Sequence, residues 1–131
     1  MPEINFFAVV VAAASSFLVG GLWYSPKLFG EAWKRGTGDV LRPDNGHPAK
    51  VFGLSFLFAL VAAFAYALLM PPASSAVAAL FQGLLVGAGF VAMSFGINYQ
   101  FANRDTTLLL IDGGYHTVQF GLYGLILGLW L

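Results

Sequence analysis

The sequence contains no cysteine and only two histidines among its 131 residues. Without cysteine, the chain forms no disulfide and offers no thiolate as a nucleophile or metal ligand. A zinc site needs three or four ligands, and His47 and His116 belong to different segments. Glycine-rich phosphate loops, serine elbows and paired carboxylates are also missing from the sequence. We therefore predict no catalytic residue, no metal site, no cofactor and no enzyme activity.

Charged residues are scarce as well. They make up 9% of the chain, while hydrophobic residues make up 59% and the net charge is zero. Soluble domains contain roughly a quarter charged residues, and a neutral chain offers no charge to attract nucleic acid. The composition therefore predicts an integral membrane protein whose surroundings are lipid, with no nucleic-acid partner.

Four apolar runs occupy nearly the whole length and predict one all-α membrane domain over residues 1–131. Each run is long enough to cross a bilayer as a helix, which predicts a bundle of four transmembrane helices. Ser74 or Ser75 is expected to cap the third helix, and Asp105 the fourth. The predicted spans are 4–24, 51–70, 75–99 and 107–131.

A short amphipathic helix is predicted at 26–35, directly after the first span. Ser25 can cap it and Pro26 suits its first position. Phe29 and Trp33 belong to its apolar face, and charged residues lie around the other side. Such a helix lies in the headgroup layer of a membrane.

The six basic residues indicate the orientation of the chain. They occur only between the first and second runs and between the third and fourth. With four spans, both segments are on one side of the membrane, which the positive-inside rule makes cytoplasmic. We therefore predict a multi-pass protein of the inner (plasma) membrane with both termini outside. The residues concerned are Lys27, Lys34, Arg35, Arg42, Lys50 and Arg104.

Two motifs resemble those of a known family. The first is Trp23-Tyr24-Ser25-Pro26, followed by Phe29, Gly30 and Trp33; the second is Ile111-Asp112-Gly113-Gly114-Tyr115-His116. Together they resemble the small four-helix prokaryotic membrane proteins of domain-of-unknown-function family 1761, over essentially the whole chain. The resemblance implies the same fold class and no assigned activity. It also implies that the two motifs form the family's functional or structural centre.

A polar stripe is predicted on the fourth helix. Asp112, His116, Gln119 and Tyr123 follow one another at i, i+4, i+7 and i+11, which places them on one narrow face. This stripe must face protein or water, because lipid leaves polar groups unsatisfied. Small residues lie nearly opposite and are expected to pack closely against a neighbouring helix. These residues are Gly114, Thr117, Gly121, Gly124 and Gly128.

The stripe has two interpretations. In the structural one, Asp112 accepts hydrogen bonds and ties helices together; its donor is His116, or a residue near the same membrane face. In the functional one, the stripe lines a hydrated path for protons or a cation, which suits a histidine that titrates near neutrality. The residues expected near the stripe are Trp23, Tyr24, Asn98 and Tyr115.

Three functions stay open at this point. The first is a small channel or transporter, which requires a homo-oligomer because four spans rarely enclose a pathway alone. The second is a non-catalytic scaffold or accessory subunit that uses the Trp23–Trp33 segment as a surface for an unknown protein or for lipid. The third is a binder of lipid or another small ligand beside Tyr115, His116 or Tyr123.

Overall fold

The computed structural model describes residues 4–37 and 48–130, and every regular element in these ranges is helical. The all-α class predicted from the sequence is therefore confirmed. A π-helical turn, Gly87–Val91, joins α4 to α5 and is closed by a hydrogen bond from the Ala92 N–H to the Gly87 carbonyl. The helices are α1 Phe6–Trp23, α2 Gly30–Thr37, α3 Pro48–Leu69, α4 Ala76–Val86, α5 Ala92–Phe101 and α6 Thr106–Leu129.

Three helical stretches are long and apolar enough to cross a membrane: Phe6–Trp23, Ala49–Leu69 and Ala76–Phe101. The last combines α4, the π turn and α5. The surfaces of these helices are apolar; Leu69 is 80% exposed and Phe101 is 90% exposed. Exposure on this scale is typical of a surface that meets lipid rather than water. The fourth long helix, α6, is not among the three because its polar stripe lowers its mean hydropathy.

Side-chain caps begin the helices where the sequence predicts them. Ser75 caps α4, since its hydroxyl accepts from the Ala78 N–H at 3.1 Å. Asp105 caps α6, since its carboxylate accepts from the Thr107 N–H at 3.0 Å. These oxygens satisfy N–H groups that have no partner within the first turn of a helix.

The amphipathic helix starts later than predicted, at Gly30 rather than at Pro26. The Ser25 hydroxyl donates to the Leu22 carbonyl at the end of α1, so it does not cap α2. The Ser25 carbonyl then accepts from the N–H groups of Leu28 and Gly30, which closes a turn over the residues between. A Cβ on Gly30 would lie 2.3 Å from the Tyr24 carbonyl oxygen, so only glycine fits this approach.

Helix α6 lies at the centre of the bundle and packs most extensively against α4. Glycines on both helices bring the two backbones together. A Cβ on Gly83 would lie 2.0 Å from the Phe120 carbonyl oxygen, and one on Gly124 would lie 2.2 Å from the Ala79 carbonyl oxygen. The expectation that the glycines of α6 pack against a neighbouring helix is confirmed at this contact.

The bundle has two ends. The α2 end contains α2, the C-termini of α1 and α5, and the N-termini of α3 and α6; the opposite end contains the N-termini of α1 and α4 and the C-termini of α3 and α6. A Cβ on Gly36 would lie 2.7 Å from the Leu108 side chain, so α2 lies against the start of α6. The described basic residues are all in segments at the α2 end. Arg42 and His47, in the predicted loop, lie outside the described residues.

Candidate functional site

The two sequence motifs meet at the α2 end of the bundle. The Trp23 indole N–H donates to the Ile111 carbonyl at 2.9 Å. The Tyr24 hydroxyl donates to Asp112 Oδ1 at 2.6 Å, across a separation of 88 residues in the sequence. The end of α1 is therefore fastened to the first turns of α6 through consecutive residues of both motifs.

Aromatic contacts complete the first motif. The ring centroids of Trp23 and Phe29 lie 4.8 Å apart, and those of Tyr24 and Trp33 lie 5.7 Å apart. The second motif makes room for this cluster, because a Cβ on Gly114 would lie 3.0 Å from Trp23. Edge and tilted ring pairs of this kind stabilise a fold beyond the area they bury.

Asp112 joins three elements through two phenols. Its Oδ1 accepts from Tyr24 and its Oδ2 accepts from the Tyr99 hydroxyl of α5, at 2.5 Å. These distances are typical of O–H···O⁻ bonds, which are stronger than bonds between neutral groups. We call Tyr24, Tyr99 and Asp112 the Asp112 clamp.

The rest of the polar stripe forms a separate chain of hydrogen bonds. His116 Nδ1 lies 2.5 Å from Gln119 Oε1, and Gln119 Nε2 donates to the Tyr123 hydroxyl at 2.7 Å. Tyr123 in turn donates to the Ala59 carbonyl of α3 at 3.3 Å. Because the amide oxygen of Gln119 only accepts, this pairing places a hydrogen on Nδ1 of His116. We call His116, Gln119 and Tyr123 the polar chain.

Aromatic rings hold His116 in place. Its ring stacks on Phe95, with centroids 4.9 Å apart and planes 15° apart, and meets Tyr115 edge to face at 4.9 Å. Tyr115 is itself fixed, because its hydroxyl donates to the Ser16 carbonyl of α1 at 2.9 Å. The imidazole is therefore oriented by neighbours from α5 and α6, with Tyr115 joined to α1.

A cleft of about 770 Å³, the main cleft, lies beside the polar chain between α1, α3 and α6. It reaches from Tyr24 and Val51 at the α2 end to Ala62 and Phe120 near the middle of the bundle. Its walls are mostly aromatic and aliphatic, and none of the described lining residues is Asp, Glu, Lys or Arg. The polar side chains that line it are those of Tyr24, Ser55, Tyr115, His116 and Gln119.

The structure thus divides the predicted stripe into two groups. Asp112 belongs to the clamp and does not line the main cleft, whereas His116 and Gln119 do. Among the expected neighbours, Tyr24 and Tyr115 contact the stripe, and Trp23 bonds to the carbonyl of Ile111 beside it. Asn98 is exposed, and its neighbour Tyr99 reaches Asp112 instead. Within the described ranges, no group of three or more His, Asp or Glu side chains lies close enough to hold a metal ion.

Comparison with known proteins identifies the family. A family model described as a protein of unknown function (DUF1761) matches residues 7–128, which include both motifs. The chain belongs to the DUF1761 family. The resemblance inferred from the two motifs is therefore confirmed, and DUF1761 has no assigned activity. No curated protein and no solved structure matches the chain.

Two residues of the site escaped the sequence analysis: Tyr99 and Phe95. Both lie on α5, eight and four residues beyond Val91, the last residue of the π turn that precedes this helix. A regular helix extended through Gly87–Val91 gives the wrong face for α5, because a π turn winds less per residue than an α-helix. The sequence gives one indication of these residues: the connection between α5 and α6 is short, so the end of α5 must lie beside the start of α6.

Proposed function

We propose that this DUF1761 protein is a four-span membrane protein whose main cleft binds a small, uncharged amphiphile. The observation that supports this is the cleft itself, about 770 Å³ in volume, with apolar walls and a polar edge at His116 and Gln119. Ligand sites in proteins are commonly 300–1,000 Å³ in volume, mainly apolar, with few polar groups that orient the ligand.

Helix α6 is the fourth span in this proposal. Its 24 residues extend about 36 Å, which exceeds the hydrocarbon thickness of a bilayer. Asp112, Gln119 and Tyr123 are buried against other helices, so the polar groups of α6 do not have to meet lipid. The distribution of basic residues supports a cytoplasmic α2 end in an inner-membrane protein; α2 would then lie at the interface and both termini outside.

The chemistry of the cleft favours an uncharged ligand. A charged ligand in an apolar cleft needs a partner of opposite charge. The described lining contains no Asp, Glu, Lys or Arg, and His116 is its one histidine. The His116 imidazole and the Gln119 amide can form hydrogen bonds with a hydroxyl or amide of the ligand. Phe17, Phe52 and Phe58 supply aromatic surface for an alkyl chain or a ring.

Photolabelling tests the proposal. The purified protein in lipid nanodiscs is irradiated with a long-chain alcohol that carries a diazirine, and labelled peptides are identified by mass spectrometry. We expect labels on residues of the main cleft, competed by unmodified alcohol. Uniform labelling of all lipid-facing helices, without competition, would contradict binding in the cleft.

Two glycines provide matched variants for this test. In the described structure, nothing lies within 4 Å of the Cβ position of either Gly21 or Gly53, so both accept a larger side chain. Gly21 lines the main cleft and Gly53 does not. Gly21→Leu should therefore abolish labelling of the cleft, while Gly53→Leu should leave it unchanged.

Transport is a second candidate function, supported by the polar chain. His116, Gln119 and Tyr123 present hydrogen-bonding groups at successive depths, as a pathway for protons or polar molecules needs. Proton flux into liposomes that contain a pH-sensitive dye tests it, with His116→Phe compared with the parent. Equal flux in both proteins would remove His116 from a pathway. The homo-oligomer predicted from the sequence remains a prediction.

The scaffold alternative has less support. Its proposed docking surface is the Trp23–Trp33 segment, in which the side chains of Trp23, Tyr24 and Trp33 have partners within the chain. A protein or lipid that co-purifies with the parent but not with Trp33→Ala would favour this alternative.

A further inference from the structure

A second cavity lies at the opposite end of the bundle from the α2 end. It measures about 100 Å³, enough for a few water-sized molecules. Ala8, Tyr66 and Gly124, from three different helices, are among the residues that line it. We call it the small cavity; the function proposed above does not use it.

Tyr66 makes this cavity polar. The residue is only 6% exposed, and its hydroxyl has no hydrogen-bond partner among the described residues. A buried hydroxyl without a partner is costly, so such groups normally bind water or a ligand. The hydroxyl therefore points to a polar occupant of the small cavity.

One closed layer of side chains separates the small cavity from the main cleft. Ala12, Ser16, Ala63 and Tyr123 are all 0% exposed. On each helix they lie between the linings of the two spaces: Ala63 lies between Ala62 of the main cleft and Tyr66 of the small cavity. On α3 and α6 the two linings are four residues apart, a rise of about 6 Å or one turn. On α1 the separation is larger, from Ala8 to Phe17.

Tyr123 is the largest side chain of the layer and belongs to the polar chain. Its hydroxyl bonds to Gln119 on the main-cleft side and, at a long 3.3 Å, to the Ala59 carbonyl. Hydrogen-bonding groups therefore occur on both sides of the layer, at Gln119 and at Tyr66. The other layer members are small, so rotation of one phenol is the least change that joins the two spaces.

We propose that Tyr123, with Ala12, Ser16 and Ala63, is the closed gate of a pathway through a single chain. The main cleft and the small cavity are the two halves of this pathway. The inference rests on the proposed function, because the amphiphile bound in the main cleft is the molecule that the gate would pass. A polar group of that ligand moves from His116 and Gln119 to the Tyr66 hydroxyl when the gate opens.

Single-cysteine labelling tests the gate, since the chain has no cysteine of its own. Ser55→Cys places a thiol of almost the same size in the main cleft. The variant is reconstituted in liposomes of one lipid composition, and a membrane-impermeant methanethiosulfonate is added to one side at a time. With Tyr123 intact, we expect labelling from the α2 end only.

Opening the gate should admit the reagent from the opposite end. In Ser55→Cys/Tyr123→Ala, labelling from that end should rise by about tenfold or more, because the aromatic ring no longer fills the layer. Gly53→Cys, on the same helix but outside the cleft, is the matched control and should react equally with and without Tyr123→Ala. An unchanged rate in a folded Tyr123→Ala protein would overturn the gate.

Tyr123→Phe decides the matter if Tyr123→Ala does not fold. It keeps the ring but removes the bonds to Gln119 and Ala59, so labelling from the opposite end should rise by a smaller factor. A rate equal to that of the parent would overturn the proposal. If the cleft is photolabelled but thiol labelling does not change in the Tyr123 variants, ligand binding is supported and the gate is overturned. If thiol labelling changes but the cleft is not photolabelled, the pathway is supported and the proposed ligand is overturned.

Discussion

Tyr24 donates a hydrogen bond of 2.6 Å to Asp112, and this bond joins the two motifs that characterise the chain. Tyr99 occupies the other carboxylate oxygen of Asp112 at 2.5 Å. An ionisable group within a membrane bundle is costly unless it is paired, and here two phenols replace water around it. The contacts of Asp112 are therefore those that the structural interpretation describes; the functional interpretation of His116 and Gln119 stays a prediction.

Removing one phenol of the clamp should destabilise the bundle. We expect Tyr24→Phe to lower the free energy of unfolding by about 1–2 kcal/mol, because a hydrogen bond to a charged group is lost and Asp112 stays buried. Unfolding in mixed micelles, followed by circular dichroism, measures this. Tyr66→Phe, which removes a buried hydroxyl without a described protein partner, is the matched control and should cost less.

A double-mutant cycle isolates the Tyr24–Asp112 bond. Asp112→Asn should be destabilising by itself, and the effects of Tyr24→Phe and Asp112→Asn should not add, because both remove one interaction. Additive effects would mean that the two side chains are not coupled in the membrane.

Gly30 should tolerate no side chain. In Gly30→Ala, the new methyl group would meet the Tyr24 carbonyl at 2.3 Å, so the turn between α1 and α2 must open. We expect a loss of about 2 kcal/mol or more, seen as a lower unfolding midpoint in detergent. Gly21→Ala is the control, and its stability should be equal to or above that of the parent because alanine favours helix.

The contact between α4 and α6 should depend on Gly83. In Gly83→Ala, a Cβ 2.0 Å from the Phe120 carbonyl forces two backbones apart, which should cost about 2–3 kcal/mol. In Gly89→Ala, the nearest atom is a Leu85 methyl at 3.6 Å, an ordinary contact. A thermal stability assay in detergent should separate the two variants; equal midpoints would contradict this packing.

Trp23→Phe should weaken the attachment of the first motif to α6 while an aromatic ring still occupies the position. The ring remains but its N–H bond to the Ile111 carbonyl is lost, so we expect about 1 kcal/mol of destabilisation. Trp130→Phe is a suitable control, because Trp130 is 43% exposed at the opposite end. If Trp130→Phe destabilises the protein more than Trp23→Phe does, the Trp23–Ile111 bond does not make the expected contribution to stability.

Much of the fold follows from the sequence because composition and small-residue spacing are strong signals. The helices, the caps at Ser75 and Asp105, and the glycine contact between α4 and α6 all rest on local or periodic patterns. The family was recognisable from its two motifs. Periodicity also showed that Asp112, His116, Gln119 and Tyr123 share one face of α6.

The division of that face into a clamp and a polar chain was not predictable. This division depends on which side chains of other helices reach α6. Spacing along α6 shows only which of its own residues share a face, so it does not predict those contacts. Asp112 takes Tyr99 rather than Asn98 because the π turn changes the face that α5 presents. The start of α2 was misplaced because Ser25 bonds backward to Leu22, which Ser-Pro spacing does not reveal.

The π turn also determines how the number of residues between Gly87 and Ala92 affects the face that α5 presents to α6. Five α-helical residues would rotate Ala92 about 140° away from Gly87, yet both residues contact α6, at Gly113 and Thr117 respectively. The wide turn brings Gly87 and Ala92 onto the same face of the helix. The direction of Tyr99, seven residues after Ala92, is therefore also determined by the π turn. Deleting any one residue of Gly87–Val91 would leave four steps of ordinary α-helical winding, a rotation of only about 40°, so Tyr99 would stay on the face that meets Asp112. At this point a helix with one residue fewer would present the same face to α6, whereas ordinary winding of all five residues would turn Tyr99 away from Asp112.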